Sequence, residues 1–266
     1  MDTLTVYFRP PEEFLAQLRN ISKEIEIIVS SKREELKSCL PRTEILITLF
    51  AWPDAGMINL ARNFHLMFRN QLKGKWDRSL AQDEINGRTA GIIGLGSIGR
   101  EIARKASMLG MRVIGVKNLP GPQEGVAQVY GPGQMADVFR QSDYIINLLP
   151  DTPVTKRLID KTFFSLMRPS ACFINLGRGS TVNQRDLIEA LRTNMIRAAV
   201  SDVYEEEPLP ADSPLWQMEN VILTPHIAGV SPQYLRRAMD IVRHNLNVYR
   251  SGTGRMINVV DPVRGY

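Results

Sequence analysis

The chain has 266 residues, 44% of them hydrophobic and 23% charged, with a formal net charge of +5. That length buries a sizeable core and holds one large or two smaller domains. The composition excludes the disordered, fibrous and disulfide-stapled classes. Basic residues are scattered among acids, as at Arg33/Lys37, Lys73/Lys75 and Arg236/Arg237. No clustered patch therefore argues for nucleic acid as a partner. No apolar run approaches membrane-spanning length, so no membrane partner is expected. Two cysteines, Cys39 and Cys172, make no disulfide framework. With an N-terminus that lacks the basic region and apolar core of a signal peptide, they predict a reducing, cytoplasmic setting.

In chain order, strand-like runs at 4–8, 26–29 and 44–50 alternate with helix-like segments at 10–21 and 32–38. This βαβαβ beginning predicts a parallel sheet with helices on its faces. Residues 62–76 read as one amphipathic helix, with Phe64, Leu66, Met67, Phe68 and Leu72 as its apolar members, and 73–86 as a polar connector. An apolar run at 89–93 then enters Gly94-Leu95-Gly96-Ser97-Ile98-Gly99, a helix-like segment at 100–110 and a second apolar run at 112–116. The Gly-, Pro- and Gln-rich segment 121–133 reads as loop. Further buried strands are predicted at 144–149, 172–176, 198–203 and 221–223, with helices such as 186–191 between them. Cys172 falls in the run Ala171-Cys172-Phe173-Ile174 and reads as a small buried hydrophobe. A long closing helix at 230–250 ends at Ser251-Gly252, as glycine-terminated helices do.

The predicted class is α/β. A doubly wound, Rossmann-type dinucleotide domain is placed at 62–240, and a smaller, truncated, flavodoxin-like α/β domain at 1–61 plus 241–266.

The strand–glycine turn–helix–strand setting is what a dinucleotide fingerprint requires. Gly94 permits the sharp turn, Gly96 lets backbone approach a pyrophosphate, and Gly99 lets helix pack closely on strand. The helix N-terminus offers free N–H groups and a positive dipole end. In open parallel sheets ligands bind beyond the carboxyl ends of the strands. Arg178, Asp202 with Glu205, Glu206 and Glu207, and His226 all follow predicted strands. Singly these are a loop arginine, a solvated acidic run and a turn histidine; together they form one constellation.

The motifs Gly94-Leu95-Gly96-Ser97-Ile98-Gly99, Asn175-Leu176-Gly177-Arg178-Gly179, Asp202-Val203-Tyr204-Glu205-Glu206-Glu207-Pro208 and Thr224-Pro225-His226-Ile227-Ala228-Gly229 follow one another in this order. In that order the chain resembles the D-isomer-specific 2-hydroxyacid dehydrogenases, closely from about residue 62 onward and loosely over the first fifty. The resemblance implies hydride transfer between NAD(P)H and a small 2-oxo or 2-hydroxy acid such as glyoxylate, hydroxypyruvate or pyruvate. His226 becomes the general acid/base, Glu207 the residue that orients its imidazole, and Arg178 the planar fork for a carboxylate or carbonyl oxygen. Gly94, Gly96, Ser97, Ile98, Gly99, Lys117, Leu149, Pro150, Leu176, Asp202 and His226 line the cofactor, with Asp202 beside the nicotinamide. No metal is implied, and a homodimer is expected.

Two departures from the family pattern stand out. The acidic residue that NAD-binding members place after the second strand is replaced by Lys117, which predicts NADP over NAD because an ammonium attracts a 2′-phosphate. Family members also carry a further stretch before the interdomain helix, including a loop that helps hold the substrate carboxylate. Here that stretch is missing near Ala61/Arg62. Its loss opens a second reading, a cofactor-binding scaffold or redox-responsive regulator like the carboxy-terminal-binding corepressors. Formate dehydrogenases, relatives that pair their histidine with glutamine, fit less well because this chain offers Glu207.

Overall fold

The computed structural model describes residues 3–6, 26–29, 53–231 and, near the C-terminus, 241, 244, 245, 248, 251, 253–257 and 259. The elements read at 10–21, 32–38 and 44–50 lie outside the described residues, as does most of the closing helix read at 230–250. The chain divides into two compact units, Met1–Leu49 with Gly229–Arg255, and Phe50–Ala228 with Met256–Tyr266. In the smaller unit, β1 (Thr3–Val6) pairs in parallel with β2 (Glu26–Val29), Thr3 opposite Glu26.

The larger unit opens with α1 (Pro53–Ala61) and α2 (Phe64–Leu72). The helix read at 62–76 is observed as Phe64–Leu72, entered through Asn63, whose left-handed φ of 51° separates it from α1. Met57 and Leu60 on α1 are fully buried, and a side chain at Gly56 would touch Val200 at 3.5 Å. This packing on the sheet is why the contact division falls at Phe50 rather than at the Arg62 boundary taken from the sequence.

The sheet of this unit has seven strands, all parallel: β3 (Thr89–Ile93), β4 (Arg112–Val116), β5 (Gln128–Tyr130), β6 (Tyr144–Asn147), β7 (Cys172–Asn175), β8 (Ala198–Ser201) and β9 (Val221–Leu223). Their spatial order is β5-β4-β3-β6-β7-β8-β9. The chain therefore runs outward one way from β3 and the other way from β6, the doubly wound arrangement. β5 corrects the loop read at 121–133: three residues pair with β4 at the sheet edge, Ile114 opposite Gln128. A strand that short shows no alternation for sequence to betray.

Strand residues take turns facing two packed layers, as a period of two demands. Ile92, Val113, Tyr144 and Cys172 join the core under α1 and α3 (Ser97–Met108). Their neighbours Ile93, Ile114, Ile145 and Phe173 join the core under α4 (Met135–Gln141), α5 (Lys161–Phe164) and α6 (Gln184–Arg192). Helix α3 buries Gly99, Ile102, Ala103 and Ala106, one face at helical spacing. It stops at Gly110, left-handed with φ 78°. Helices α5 and α6 start on side-chain caps: Asp160 accepts from the Thr162 N–H and Asn183 from the Asp186 N–H.

At the sheet's N-terminal edge, Arg197 donates to the carbonyls of Leu60 (3.3 Å) and Ser170 (3.2 Å), tying α1 to the strands. Burial pushes the nearby Cys172 thiol up to about 11, so it stays protonated and unreactive.

Candidate active site

Because every strand is parallel, all their C-terminal ends open onto one edge, and the sequence-read site residues follow those ends. At the switch point between β3 and β6, Gly94 has φ 111°, and a side chain there would lie 3.1 Å from the Leu148 carbonyl. Its N–H and that of Leu95 reach the Val116 carbonyl at 3.2 and 3.0 Å, locking the turn onto the end of β4. Gly99 packs against the turn itself, where a Cβ would fall 2.2 Å from the Gly94 carbonyl oxygen. Gly96 differs: a Cβ on it would meet nothing within 4 Å. It is also the N-cap of α3, with no side chain capping the first N–H groups.

A bare helix N-terminus facing open space at a topological switch point fits the pyrophosphate of a dinucleotide. Ser97 and Ile98 lie exposed on that first turn. Lys117 directly follows β4, held there by its N–H on the Tyr130 carbonyl at 3.0 Å. Leu149, Pro150 and Leu176 are half-buried just past β6 and β7.

Arg178 sits between two glycines that let its turn press on neighbouring loops. A Cβ at Gly177 would lie 2.7 Å from the Leu149 carbonyl oxygen, and one at Gly179 would lie 1.8 Å from that of Tyr204. The exposed guanidinium donates to the Gly177 carbonyl at 2.8 Å. On its far side the turn is held by the Arg157 N–H, which reaches the Ser180 carbonyl at 2.7 Å.

His226 has φ 53°, an unusual backbone for a residue with a side chain. Its N–H bonds the carbonyls of Asp202 (2.8 Å) and Thr224 (3.1 Å). The Asp202 side chain, 2% exposed, secures the same loop. Its Oδ1 accepts from the Thr224 hydroxyl (2.5 Å) and the Ile227 N–H (3.0 Å), and its Oδ2 from the Ala228 N–H (2.8 Å). Three of a carboxylate's roughly four acceptor sites are thus occupied by the loop that carries the histidine.

The structure brings Glu207 and His226 together: Oε2 lies 2.7 Å from Nδ1. Its other oxygen accepts from the Tyr204 N–H at 2.9 Å, which fixes the carboxylate. Carboxylate can only accept, so Nδ1 carries the proton and Nε2 is left for chemistry. With 49% and 35% of the two side chains exposed, the pair adds little stability. What it provides is orientation.

The sequence motifs do not disclose what several further residues do. Glu205, one of an apparently solvated acidic run, accepts from Arg157 Nε (2.6 Å) and the Gln184 N–H (3.3 Å), pinning the loop that presents Glu207. Asn147, Asn175 and Thr181 are buried and bonded to one another beneath Arg178. An asparagine closing the apolar run Tyr144-Ile145-Ile146 was the available signal for the first of them. Among the described residues no three His, Cys, Asp or Glu side chains gather as a metal site.

Comparison with known proteins agrees with this fold. Residues 55–228, which include α2 and all of α1 but its first two residues, match the model of the D-isomer specific 2-hydroxyacid dehydrogenase, NAD binding domain. The chain is 31% identical over 277 residues to glyoxylate/hydroxypyruvate reductase A of Yersinia enterocolitica, covering 97% of this chain and 86% of that protein. An uncharacterized protein of Corynebacterium melassecola is 32% identical over 179 residues, and the chain spans 59% of its length. The crystal structure of a D-isomer specific 2-hydroxyacid dehydrogenase from Xanthobacter autotrophicus Py2, in complex with NADPH and MES, is 29% identical. It superposes with a TM-score of 0.72 over 87% of this chain and 99% of that one.

Proposed function

The chain belongs to the D-isomer specific 2-hydroxyacid dehydrogenase family of NAD(P)-dependent oxidoreductases, and we propose that it reduces a short 2-oxo acid with NADPH. The observation that carries this reading is the Glu207–His226 pair at 2.7 Å, on the sheet edge that also carries the glycine turn and Arg178. Glyoxylate and hydroxypyruvate lead the substrate list, by analogy with the Yersinia reductase's name.

The bound cofactor supplies the hydride, and the chain's residues do the rest. The turn at Gly94–Gly99 and the first N–H groups of α3 would hold the pyrophosphate. Leu149, Pro150 and Leu176 would line the site for the cofactor, and the fourth acceptor site of Asp202 would be available to its nicotinamide amide. Arg178 grips the substrate's oxygens with its fork. His226, protonated on both ring nitrogens, would donate its Nε2 proton to the carbonyl oxygen as that oxygen gains charge and return to the neutral ring with its proton on Nδ1, where Glu207 keeps the imidazole turned toward the substrate. In the reverse direction the same nitrogen takes the proton back.

Lys117 favours NADPH, since a 2′-phosphate meets a cation rather than a carboxylate. The X. autotrophicus relative was crystallised with NADPH, which supports the assignment. A deletion of a stretch near Ala61/Arg62, as the resemblance implies, would affect positioning rather than chemistry, because Arg178, Glu207 and His226 all stand in the larger unit. Substrate positioning in the family comes partly from that stretch, so a high KM is expected here.

The test is loss of reduced-cofactor absorbance with NADPH or NADH against glyoxylate, hydroxypyruvate and pyruvate. NADPH is expected to support turnover at lower KM, and Lys117→Asp to reverse the order. Equal KM for both cofactors in the wild type would overturn the preference. NADPH binding without any turnover would make the scaffold reading the better one.

We also propose that two copies pair through α2 and the segment after it. Leu72 and Trp76 are 88% and 90% exposed there, and apolar surface left open to solvent is a candidate interaction site. Sedimentation should give a dimer that Leu72→Glu with Trp76→Glu converts to monomer.

A further inference from the structure

We propose that Thr181 and Asn147 are positioning residues for Arg178, forming a buried relay between the end of β6 and the turn that presents the guanidinium. The Thr181 hydroxyl donates to the Arg178 carbonyl at 2.7 Å and accepts from Asn147 Nδ2 at 2.8 Å. The second Nδ2 proton goes to Asn175 Oδ1 at 2.9 Å, and Asn147 Oδ1 accepts from the Leu149 N–H at 3.2 Å. Asn147 and Thr181 are both fully buried. Every proton and the oxygen of the Asn147 amide are therefore committed, and the hydroxyl is used in both directions.

A polar chain of this kind in an apolar layer has one low-energy arrangement, because any shift leaves a buried donor or acceptor unpaired. The relay begins on Leu149, a residue flanking the cofactor, and ends on the backbone of Arg178, assigned to the substrate. Neither Thr181 nor Asn147 touches a reacting atom; they act through Arg178. The inference rests on Arg178 gripping the 2-oxo acid.

Thr181→Val keeps the shape and removes the hydroxyl, leaving an Asn147 N–H unpaired and the Arg178 carbonyl held only by the longer bond from the Thr181 N–H (3.2 Å). Displacement of about 1 Å in a positioned group costs on the order of 10²-fold in rate. The valine variant is expected to lose about that much in kcat/KM for the 2-oxo acid, mostly as raised KM, with NADPH affinity kept. Asn147→Leu, which also frees Leu149, is expected to weaken both. Thr181→Ser, which retains the hydroxyl, should restore wild-type values, and Thr181→Ala makes the same deletion should the valine variant not fold.

The accompanying readout is the amide resonance of Gly179, which shares its peptide with the Arg178 carbonyl. It should move in Thr181→Val and return in Thr181→Ser. An unmoved resonance, or valine and serine variants with equal kinetics, would overturn the relay. Failure of the underlying reading looks different: Arg178→Ala would leave wild-type turnover intact while the resonance still reported the hydroxyl.

Discussion

Replacing His226 with alanine is expected to lower kcat by about 10²–10⁴-fold, the usual worth of a positioned general acid or base. NADPH affinity should change little, since the glycine turn and α3, proposed above to hold the pyrophosphate, lie across the sheet edge from β9. The melting temperature should also hold, because the imidazole is half exposed and its pairing with Glu207 adds little stability. Glu207→Gln is the informative companion. Glutamine occupies the same space but can also donate, so it no longer dictates which imidazole nitrogen carries the proton. It should lose less than His226→Ala yet more than Glu206→Gln, whose side chain is exposed beyond the pair. Steady-state kinetics on the three variants, with cofactor binding by fluorescence titration, decide the matter. Full activity in His226→Ala would remove the proposed chemistry altogether.

The second large effect is expected at Gly179. A methyl group there would sit 1.8 Å from the Tyr204 carbonyl oxygen and 2.0 Å from its carbon, both backbone atoms. Nothing at that contact is a flexible tip that could swing aside, so Gly179→Ala must push apart two loops. One carries Arg178 and the other carries Glu207. Overpacking costs about 1–3 kcal/mol, which a thermal melt will show as a clear fall. Activity should drop further than stability, because both loops present groups of the reaction. Gly133→Ala is the control: a Cβ there meets nothing within 4 Å, and melting temperature and turnover should both match the wild type. Wild-type kinetics in Gly179→Ala would show that the two loops tolerate separation.

Much of this architecture is legible in the sequence because a parallel sheet buried on both faces writes itself as apolar runs. Cys172–Asn175 and Val221–Leu223 are obvious for that reason, and residues placed just beyond such runs land on the ligand-binding edge by topology alone. What escapes is either too short or too distant. β5 spans only Gln128–Tyr130 and pairs on one side, so its residues need not be apolar throughout. The left-handed turn at Asn63 between α1 and α2 also escapes, because asparagine adopts that backbone without a glycine to mark it. The supporting contacts escape for another reason. Asn147 meets Thr181 thirty-four positions away, and Arg157 meets Glu205 forty-eight away. No local pattern records a partner that far along the chain. Asp202 is an intermediate case: its placement after β8 is readable, but not that its carboxylate is largely spent on the histidine loop.

The uniform strand direction of the larger unit also bears on how such a protein can change. Lys117, Arg178, Glu207 and His226 each stand in a short connection leaving a strand, while the side chains that fill the two layers lie within the strands and helices. Recognition and stability are thus encoded in separate parts of the polypeptide. New cofactor or acid specificity can be written by exchanging a handful of positions on one rim, with the scaffold beneath left unrevised. For anyone redesigning this catalyst, the rim is the place to mutate and the layers are the place to leave alone.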